Sequence, residues 1–439
     1  MKKYDSYKDT GVEWIGEIPS HWKKTKHKFN LSILSGYPFK SDLFDKSKGF
    51  PLIRIRDISS GHIETFYQGE VLDKFVVNEG DLLIGMDGDF NTRWWNSKQG
   101  LLNQRCCSIV EGSNVLRRYL HYVLPIELNI INDLTYYTTV KHLSVDDINN
   151  TDTILPPFSE QQQIVSFLDT KTSLIDSLID KTQRKIELLK EKRTSLINEV
   201  VTKGLNPNVE MKDSGVEWIG KIPNHWDYIP TKYFTINDKG VQTGPFGTQL
   251  NTKDYVESGV KVMNQKTLID EDYDIGEEFI SYEKYESLKV FEVIEGDIIM
   301  GTRGSFGTGK RTTFGKVSIV PSGLGDCVLH PCLIRIRLKE NLMMKRYYYI
   351  YVNDSSYFLD DVKDTSNSTT IEVIYGVTLK DIKVPVPPIQ EQQQIVEYLD
   401  EQTQLIDKTI SIEEKRIELL KEYRQSLISE VVTGKRKVV

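Results

Sequence analysis

The chain is poor in cysteine and has no long apolar run. Its four cysteines in 439 residues are too few for a disulfide scaffold, and they occur as Cys106 beside Cys107 and as Cys327 near Cys332. Neither pair has the CxxC spacing typical of zinc sites, so we expect reduced thiols in half-buried strands. No stretch approaches the roughly 18 apolar residues that cross a bilayer, and the N-terminal segment lacks the apolar centre of a signal peptide. We therefore expect a cytoplasmic protein without membrane contact.

The chain also lacks an excess of positive charge. Its formal net charge is −7, whereas proteins that bind nucleic acids usually set Lys and Arg against the phosphates. Basic and acidic residues nearly balance over 23–150, and acids slightly exceed bases over 227–380. An acidic average can hide a local basic face. If this chain binds DNA, we expect its affinity to be weak without a partner.

What the sequence does contain is an internal duplication. The block KDTGVEWIGEIPSHW at 8–22 recurs as KDSGVEWIGKIPNHW at 212–226, and PPFSEQQQIVSFLD at 156–169 recurs as PPIQEQQQIVEYLD at 387–400. The second match continues without a gap for more than thirty residues, whereas the segments between the blocks have diverged except for EGDLLIG against EGDIIMG. A conserved frame around divergent segments predicts two domains that perform different tasks.

The duplication divides the chain into six segments. We expect a repeat block at 1–22, a first variable domain at 23–153, a central spacer helix at 154–204, a linker with the second repeat block at 205–226, a second variable domain at 227–385, and a C-terminal spacer helix with a tail at 386–439.

A long helix is predicted after each Pro-Pro pair, because proline ends an extended segment and no Gly or Pro follows for over forty residues. The first copy has a heptad seam made of Leu168, Ile175, Thr182, Leu189 and Leu196 with Thr172, Ile179, Ile186, Arg193 and Val200. The second copy repeats it, with Glu413 in place of Thr182. Two such seams most simply pack on each other as antiparallel coiled-coil helices, each about 65 Å long. The alternative is a helical hairpin that stabilises a dimer.

The variable domains have the alternation of half-buried strands, for example in PLIRIRDI at 51–58, VFEVIEGDIIMG at 290–301 and LIRIRL at 333–338. We therefore predict an α+β fold. Two tandem α/β domains are separated by the two long antiparallel coiled-coil helices, and the duplication gives them a pseudo-twofold relation.

One motif resembles a phosphate-binding loop but departs from it. Gly304 to Arg311, GSFGTGKR, has the G-x-x-x-x-G-K spacing. Arg311 stands where Ser or Thr should hold Mg²⁺, and the pattern that follows is typical of a strand instead of a helix. The sequence does not favour nucleotide binding here.

Basic stretches with aromatic residues follow both EGD segments. Lys and Arg contact phosphates, while Arg and side-chain amides can read base edges. We predict DNA contacts from Asn91, Arg93, Trp94, Lys98, Gln104, Arg105, Gln242, Thr243, Lys266, Arg303, Ser305, Lys310 and Arg311. We also align His330-Pro331 with Gln104-Arg105. The alternative is a pair of solvated hairpins with tryptophans in the core.

The tryptophans of the repeat blocks recur with their spacing intact: Trp14, Trp22, Trp218 and Trp226. They stand beside Ile and Pro, a context that favours packing against the helix ends or a partner surface over base stacking.

Catalytic motifs are missing. The sequence has no Asn/Asp-Pro-Pro-Tyr/Phe methyltransferase signature, no Gly-rich SAM loop that opens a helix, no HExxH and no nucleophile elbow. We therefore expect no catalysis and no metal site in this chain.

Together these motifs resemble a known family. The GVEWIGEIPSHW block, the variable domain with its EGD strand, the PP-x-x-EQQ-x-IV helix start and the long helix, all present twice, are similar to the specificity subunit of type I restriction-modification systems. The resemblance covers about Lys8 to Thr433.

The resemblance implies a function and partners. Each variable domain is then a target-recognition domain that reads one half of a split sequence in double-stranded DNA, and the helices set the gap between the halves. Two methyltransferase subunits would supply SAM-dependent adenine-N6 methylation, and two restriction subunits would add ATP-driven translocation and Mg²⁺-dependent cleavage. None of these cofactors would bind this chain. The tryptophan blocks and the helices would bind the partner subunits.

Two other hypotheses belong to different classes. The first is a coiled-coil scaffold protein with two binding modules and no role with DNA. The second is a P-loop-type enzyme, which the missing Ser or Thr after Lys310 disfavours.

Overall fold

The computed structural model describes residues 3–438 except 14, 113, 135–140, 238, 275, 277, 305–312 and 366–371. The chain divides into two compact units. The first consists of Met1–Gln183 with Lys415–Val439, and the second is Arg184–Glu414. The division falls inside both long helices, so each unit contains part of each helix. In the described part of the chain, no helix is both long and apolar enough to span a membrane.

The first unit contains thirteen named strands and three helices of its own. The strands are β1 (Tyr7–Asp9), β2 (Glu17–Pro19), β3 (Lys23–Lys26), β4 (Leu31–Ser35), β5 (Phe44–Asp45), β6 (Phe50–Ile53), β7 (Phe66–Tyr67), β8 (Val76–Val77), β9 (Leu82–Gly85), β10 (Thr92–Trp94), β11 (Gly100–Leu102), β12 (Cys106–Glu111) and β13 (Asp152–Leu155). The helices are α1 (Ile55–Ser60), α2 (Arg117–Leu134) and α3 (Val145–Asn150). The first long helix, α4 (Phe158–Lys203), passes from this unit into the second.

The second unit repeats this arrangement. Its strands are β14 (Met211–Asp213), β15 (Lys221–Pro223), β16 (Asp227–Pro230), β17 (Val241–Thr243), β18 (Tyr255–Val256), β19 (Val260–Met263), β20 (Phe279–Ile280), β21 (Glu292–Val293), β22 (Ile298–Gly301), β23 (Arg303–Gly304), β24 (Val317–Ile319), β25 (Cys327–Leu329), β26 (Leu333–Ile336), β27 (Glu372–Val373) and β28 (Lys383–Val386). Its helices are α5 (Thr231–Phe234), α6 (Thr267–Asp270), α7 (Tyr282–Ser287), α8 (Lys345–Asn353), α9 (Tyr357–Thr365) and α10 (Gly376–Asp381), and the second long helix is α11 (Ile389–Val432).

Each unit has two main sheets whose strand orders match. The four-stranded sheets run β10-β9-β12-β4 and β17-β26-β22-β24, which is the same order read from opposite edges. The five-stranded sheets run β5-β7-β6-β11-β8 and β18-β20-β19-β25-β21, and each contains one parallel pair, β6 with β11 and β19 with β25. The duplication in sequence is therefore a duplication of the two main sheets, although the segments that form them have diverged. The predicted α+β fold with two tandem α/β domains is confirmed.

The long helices follow the predicted heptads. All twenty predicted seam positions in α4 and α11 are buried or half-buried. Within the first unit Arg424 of α11 pairs with Asp176 of α4 at 2.8 Å, and within the second Arg193 of α4 pairs with Asp407 of α11 at 3.1 Å. The start of each helix thus packs beside the end of the other, as an antiparallel pair requires. Both helices begin directly after their Pro-Pro pairs, because proline donates no backbone hydrogen bond.

Two strand predictions need correction. The alternation over 51–58 predicted one strand, but β6 ends at Ile53 and α1 follows, because the Asp57 carboxylate accepts the Arg54 backbone N–H at 2.8 Å and caps the new helix. The run 290–301 is likewise broken into β21 and β22 by a turn in which Asp297 accepts the Ile294 N–H at 2.9 Å. In both cases a local carboxylate–backbone bond outweighs the alternating pattern.

Candidate nucleic-acid interface

Three predicted DNA contacts in the first unit lie near the connection from β9 to β10. Arg93 donates from Nη2 to the Ser59 carbonyl at 2.6 Å and from Nε to the Ile58 carbonyl, so its guanidinium closes the end of α1. Trp94 is half-buried, and the Arg118 guanidinium lies 4.7 Å from its ring centroid. Asn91 is exposed and donates to Ser59 Oγ at 3.1 Å. Arg93 and Trp94 are thus engaged within the domain, while Asn91 stays accessible.

Two further residues of the first unit are exposed beyond β10. The Lys98 side chain is exposed, while its carbonyl accepts the indole N–H of the buried Trp95 at 2.9 Å. Gln104 is exposed at the turn between β11 and β12, with its backbone N–H bonded to the Tyr37 carbonyl at 2.9 Å. Their backbones are fixed and their polar side chains face solvent, which is the arrangement that a DNA contact requires.

Arg105 follows Gln104 and lies where three segments of the first unit meet. It has φ +68°, a left-handed conformation that is uncommon for a residue other than glycine. Its Nε lies 3.9 Å from Asp87 Oδ2, and its Nη1 lies 3.2 Å from His142 Nδ1. Asp87 Oδ1 is 2.7 Å from the same histidine nitrogen. We call Asp87, Arg105 and His142 the first corner.

The predicted contacts in the second unit vary in exposure. Gln242 and Thr243 are half-buried on β17, and the Gln242 amide donates to the Thr243 carbonyl at 2.9 Å. Lys266 is exposed at the start of α6, and its backbone N–H is bonded to Asn264 Oδ1 at 2.9 Å. Arg303 is exposed on β23. The predicted contacts Ser305, Lys310 and Arg311 lie outside the described residues, as does most of the G-x-x-x-x-G-K motif.

Backbone hydrogen bonds identify the counterpart of the first corner in the second unit. Met86 N–H donates to Arg105 O at 2.8 Å, as Thr302 N–H donates to Cys332 O at 3.0 Å. Leu143 N–H donates to Met86 O at 2.7 Å, as Ile374 N–H donates to Thr302 O at 2.9 Å. Asp87 forms a bridge with His142, as Arg303 pairs with Val373. The equivalent positions, which we call the second corner, are therefore Arg303, Cys332 and Val373.

This equivalence corrects the sequence alignment by one residue. Asn103 N–H donates to Ile53 O at 3.1 Å, and His330 N–H donates to Met263 O at 2.9 Å, at matching places in the five-stranded sheets. His330 therefore corresponds to Asn103, not to Gln104. Sequence reasoning also missed Asp87 and His142 as part of the surface. No pattern pointed to His142, because it reaches Arg105 from a distant segment of the chain.

The structure gives the positions of three of the four tryptophans in the repeat blocks. Trp22 and Trp226 are fully buried at 0% exposure and donate from Nε1 to Glu160 Oε2 at 3.1 Å and to Glu391 Oε2 at 3.0 Å. Of the two roles considered from the sequence, full burial places these two indoles in packing at the helix starts, because a fully buried side chain offers no surface to a partner. Trp218 is 39% exposed and donates to Asp361 Oδ1 at 2.9 Å. Trp14 lies outside the described residues.

The EQQ sequences at the helix starts have a structural explanation that sequence reasoning missed. Gln161 is fully buried, and its Oε1 accepts the Leu116 N–H at 2.9 Å. Gln392 is also fully buried and accepts the Met344 N–H at 2.8 Å. Each glutamine thereby fixes the helix that follows the four-stranded sheet against the start of a long helix. The identity of EQQ in both copies was the signal.

The cysteines do not suit a reactive or metal-binding role. Burial raises the pKa of Cys107 to about 12 and that of Cys327 to about 12, so both thiols stay protonated at neutral pH. Among the residues that the structure describes, no three His, Cys, Asp or Glu side chains cluster in a way that could hold a metal ion. The chemistry that the exposed residues offer is hydrogen bonding by cations and amides.

Comparison with known proteins gives the family. The model of the type I restriction modification DNA specificity domain matches residues 19–189 and 229–422. The type I restriction enzyme EcoBI specificity subunit of Escherichia coli is 28% identical over 406 residues, which cover 90% of this chain and 81% of that protein. The MjaVIII specificity subunit of Methanocaldococcus jannaschii is 24% identical, with 83% and 81% of the two chains covered.

Two solved structures share the fold. A structure described as the basis of complex assembly and conformational transition of the type I R-M system has a TM-score of 0.66 at 15% identity, covering 94% of this chain and 98% of the other. The HsdS subunit from Thermoanaerobacter tengcongensis has a TM-score of 0.51 at 14% identity, covering 95% and 98%. With two family matches spanning most of its length and the same duplicated sheets, this chain belongs to the family of type I restriction-modification DNA specificity subunits.

Proposed function

We propose that this chain reads a split target in double-stranded DNA, with one recognition domain for each half-site. The observation that carries the proposal is that both units have the same order of strands in their two main sheets and equivalent backbone hydrogen bonds at their corners, whereas the side chains at equivalent positions differ. A common scaffold with different polar groups is what two readers of different base sequences need.

Among the DNA contacts predicted from the sequence, those with exposed polar side chains in the structure are the ones that we propose. They are Asn91, Lys98, Gln104, Arg105, Lys266 and Arg303. Four other predicted contacts have half-buried side chains or side chains bonded within their own domain, so we propose that they support this surface from below: Arg93, Trp94, Gln242 and Thr243. The net charge of −7 argues that DNA binding by the isolated chain is weak and that its partners supply much of the phosphate contact.

The two long helices set the unread gap between the half-sites in this proposal. They have 46 and 44 residues, which correspond to about 69 and 66 Å at about 1.5 Å per residue. Paired helices of this length change shape little, so the gap would be constant. The helices and the exposed Trp218 are the proposed contacts for the partner subunits.

The chain itself has no catalytic role in the proposal. It directs two methyltransferase subunits, which bind SAM and methylate adenine N6, and two restriction subunits, which use ATP and Mg²⁺. Protonated, buried thiols and a candidate surface that offers cations, amides and the Asp87 carboxylate as hydrogen-bonding groups support a binding role. We propose that the complex works in the cytoplasm, without a membrane.

Methylation mapping tests the proposal. The chain would be co-expressed with its neighbouring methyltransferase subunit, and genomic DNA would be sequenced for N6-methyladenine. We expect one split motif, two short halves across a fixed gap. A stable complex that methylates nothing would contradict the proposal and favour the coiled-coil scaffold; failure to form any complex would also contradict it.

A further inference from the structure

Each corner rests on a turn that contains a glycine with no room for a side chain. Gly36 N–H donates to Cys106 O at 2.9 Å, and Gly244 N–H donates to Leu333 O at 2.9 Å. A Cβ atom on Gly36 would lie 2.0 Å from Asn103 O, and one on Gly244 would lie 2.2 Å from His330 O. Both contacts are with backbone, so neither glycine can be replaced without moving the turn that carries the corner. The close approach of the two turns at the base of each corner is therefore fixed by the fold.

The side chains, unlike the glycine turns, differ between the two corners. The first corner presents a carboxylate, a guanidinium and an imidazole, while the equivalent second corner presents Arg303, Cys332 and Val373. Each corner has one arginine, but the two arginines occupy different positions: Arg105 is equivalent to Cys332, and Arg303 is equivalent to Asp87. A scaffold that keeps its backbone hydrogen bonds and moves its arginine presents the same donor at two different places.

The carboxylate of Asp87 favours a base contact over a phosphate contact for Arg105. A surface that contacts phosphates is disfavoured by a carboxylate 3.9 Å from its cation, because the carboxylate repels the DNA backbone. A base edge suits both groups, since Arg donates to guanine O6 and N7 and Asp accepts from cytosine N4. The two partners of one G·C pair therefore match the two charged groups of the first corner.

Resting on the proposed function, we infer that the corners are the specificity-determining sites. Arg105 with Asp87 reads a G·C pair in the first half-site through the major groove, and Arg303 reads a guanine in the second. In the free protein Asp87 and His142 hold the Arg105 side chain, which is 55% exposed, through contacts that are easily exchanged for a base. Arg105 also has a left-handed backbone, which its equivalent Cys332 does not share, so the two corners differ at this position in backbone as well as in side chain.

The test compares methylation motifs of assembled complexes. Arg105→Asn removes the guanidinium, and Asn tolerates the left-handed backbone better than Ala does. We expect the preference for one G·C pair in the first half-site to fall about tenfold or more, with the second half-site unchanged. Arg303→Ala should relax one guanine in the second half-site and leave the first intact. Asp87→Asn should relax the same pair as Arg105→Asn.

Lys28→Ala is the control, because Lys28 is an exposed cation of the first unit that is bonded to Asn150 Oδ1 at 3.2 Å and is not among the proposed DNA contacts. It should leave the motif unchanged. An unchanged motif with Arg105→Asn, or a uniform loss of methylation at every site with a smaller salt dependence, would overturn the inference, the second result because it marks a phosphate contact. Absence of a split motif with the unmodified chain would instead defeat the proposed function. Thermal melting of each complex checks that the variants are folded.

Discussion

At the scale of single residues, a glutamate in each unit, buried in the first and half-buried in the second, holds the repeat block against the start of a long helix. Glu160 Oε2 accepts the Trp22 indole N–H at 3.1 Å and lies 2.8 Å from His21 Nε2, while its Oε1 accepts the Tyr4 hydroxyl. Glu391 repeats the contacts with Trp226 and His225. Water cannot reach the indoles to replace these bonds, so each glutamate satisfies donors that would otherwise be buried without partners.

Glu160→Ala should therefore destabilise the first unit by about 2–4 kcal/mol, because two buried donors lose their acceptor. Urea unfolding followed by tryptophan fluorescence measures the effect. Glu187→Ala is the control: this glutamate lies exposed on the same helix in an ion pair with Arg184, and its loss should cost less than about 1 kcal/mol. Equal effects of the two substitutions would show that the Glu160 contacts do not stabilise the unit.

A second residue-scale prediction concerns pH. Burial and, to a smaller extent, the nearby positive charge of Arg118 lower the pKa of His121 to about 4. In the unfolded chain its pKa is about 6.5. The folded state therefore favours the neutral ring, and the stability that this ring contributes is present above pH 6.5 and declines as the pH falls toward 4. Between pH 7.5 and pH 5 the loss should be about 2 kcal/mol.

His121→Phe keeps an aromatic ring beside Trp94 and removes the titrating group. Urea midpoints at the two pH values should differ less in this variant than in the unmodified chain. A pH dependence that the substitution leaves intact would assign it to other groups.

At the scale of elements, the helix seam contains one position where the two copies differ in kind. Glu413 replaces the Thr182 of the first copy, is 6% exposed, and meets Lys185 Nζ at 2.5 Å. A carboxylate in an apolar seam lowers the free energy of unfolding when its ammonium partner is removed, because a buried charge is then left uncompensated. Replacing the carboxylate itself leaves no buried charge.

Lys185→Ala should therefore destabilise the helix pair by about 1–3 kcal/mol, while Glu413→Thr, which copies the first seam, should change stability by less than about 1 kcal/mol. Denaturant unfolding of both variants and of the double variant gives the coupling between the two residues. A larger cost for Glu413→Thr than for Lys185→Ala would reverse this interpretation of the seam.

The elements also show where local pattern suffices. The heptads, the Pro-Pro boundaries and the absence of glycine predicted both long helices, because helix formation and seam burial depend on residues three and four apart. The alternation over 51–58 failed, because the side chain of Asp57 binds the backbone three residues earlier and starts a helix. The carboxylate of Asp57 thus determined the type of this element, and a pattern based on apolar residues does not take a carboxylate into account.

At the scale of the whole molecule, the two recognition domains should be independent. Exchanging residues 23–150 for the corresponding domain of another family member should change one half-site of the methylation motif and leave the other, because each domain has its own sheets and core. Sequencing of methylated genomic DNA measures both halves at once. A change in both half-sites would contradict the modular arrangement.

The sequence by itself determined the duplication, the two helices and the family, since each of these depends on residues that are close along the chain or repeated in it. The tertiary structure decided which side chains form the surface. Asp87, Arg105 and His142 come together through backbone bonds between segments 18 to 55 residues apart. The two EGD segments align Asp87 with Arg303, but only the backbone hydrogen bonds of the folded chain pair Arg105 with Cys332 and His142 with Val373. The same long-range packing buried Trp22 and Trp226, because the apolar positions around the helix starts needed a large side chain and Glu160 and Glu391 could accept the indole N–H.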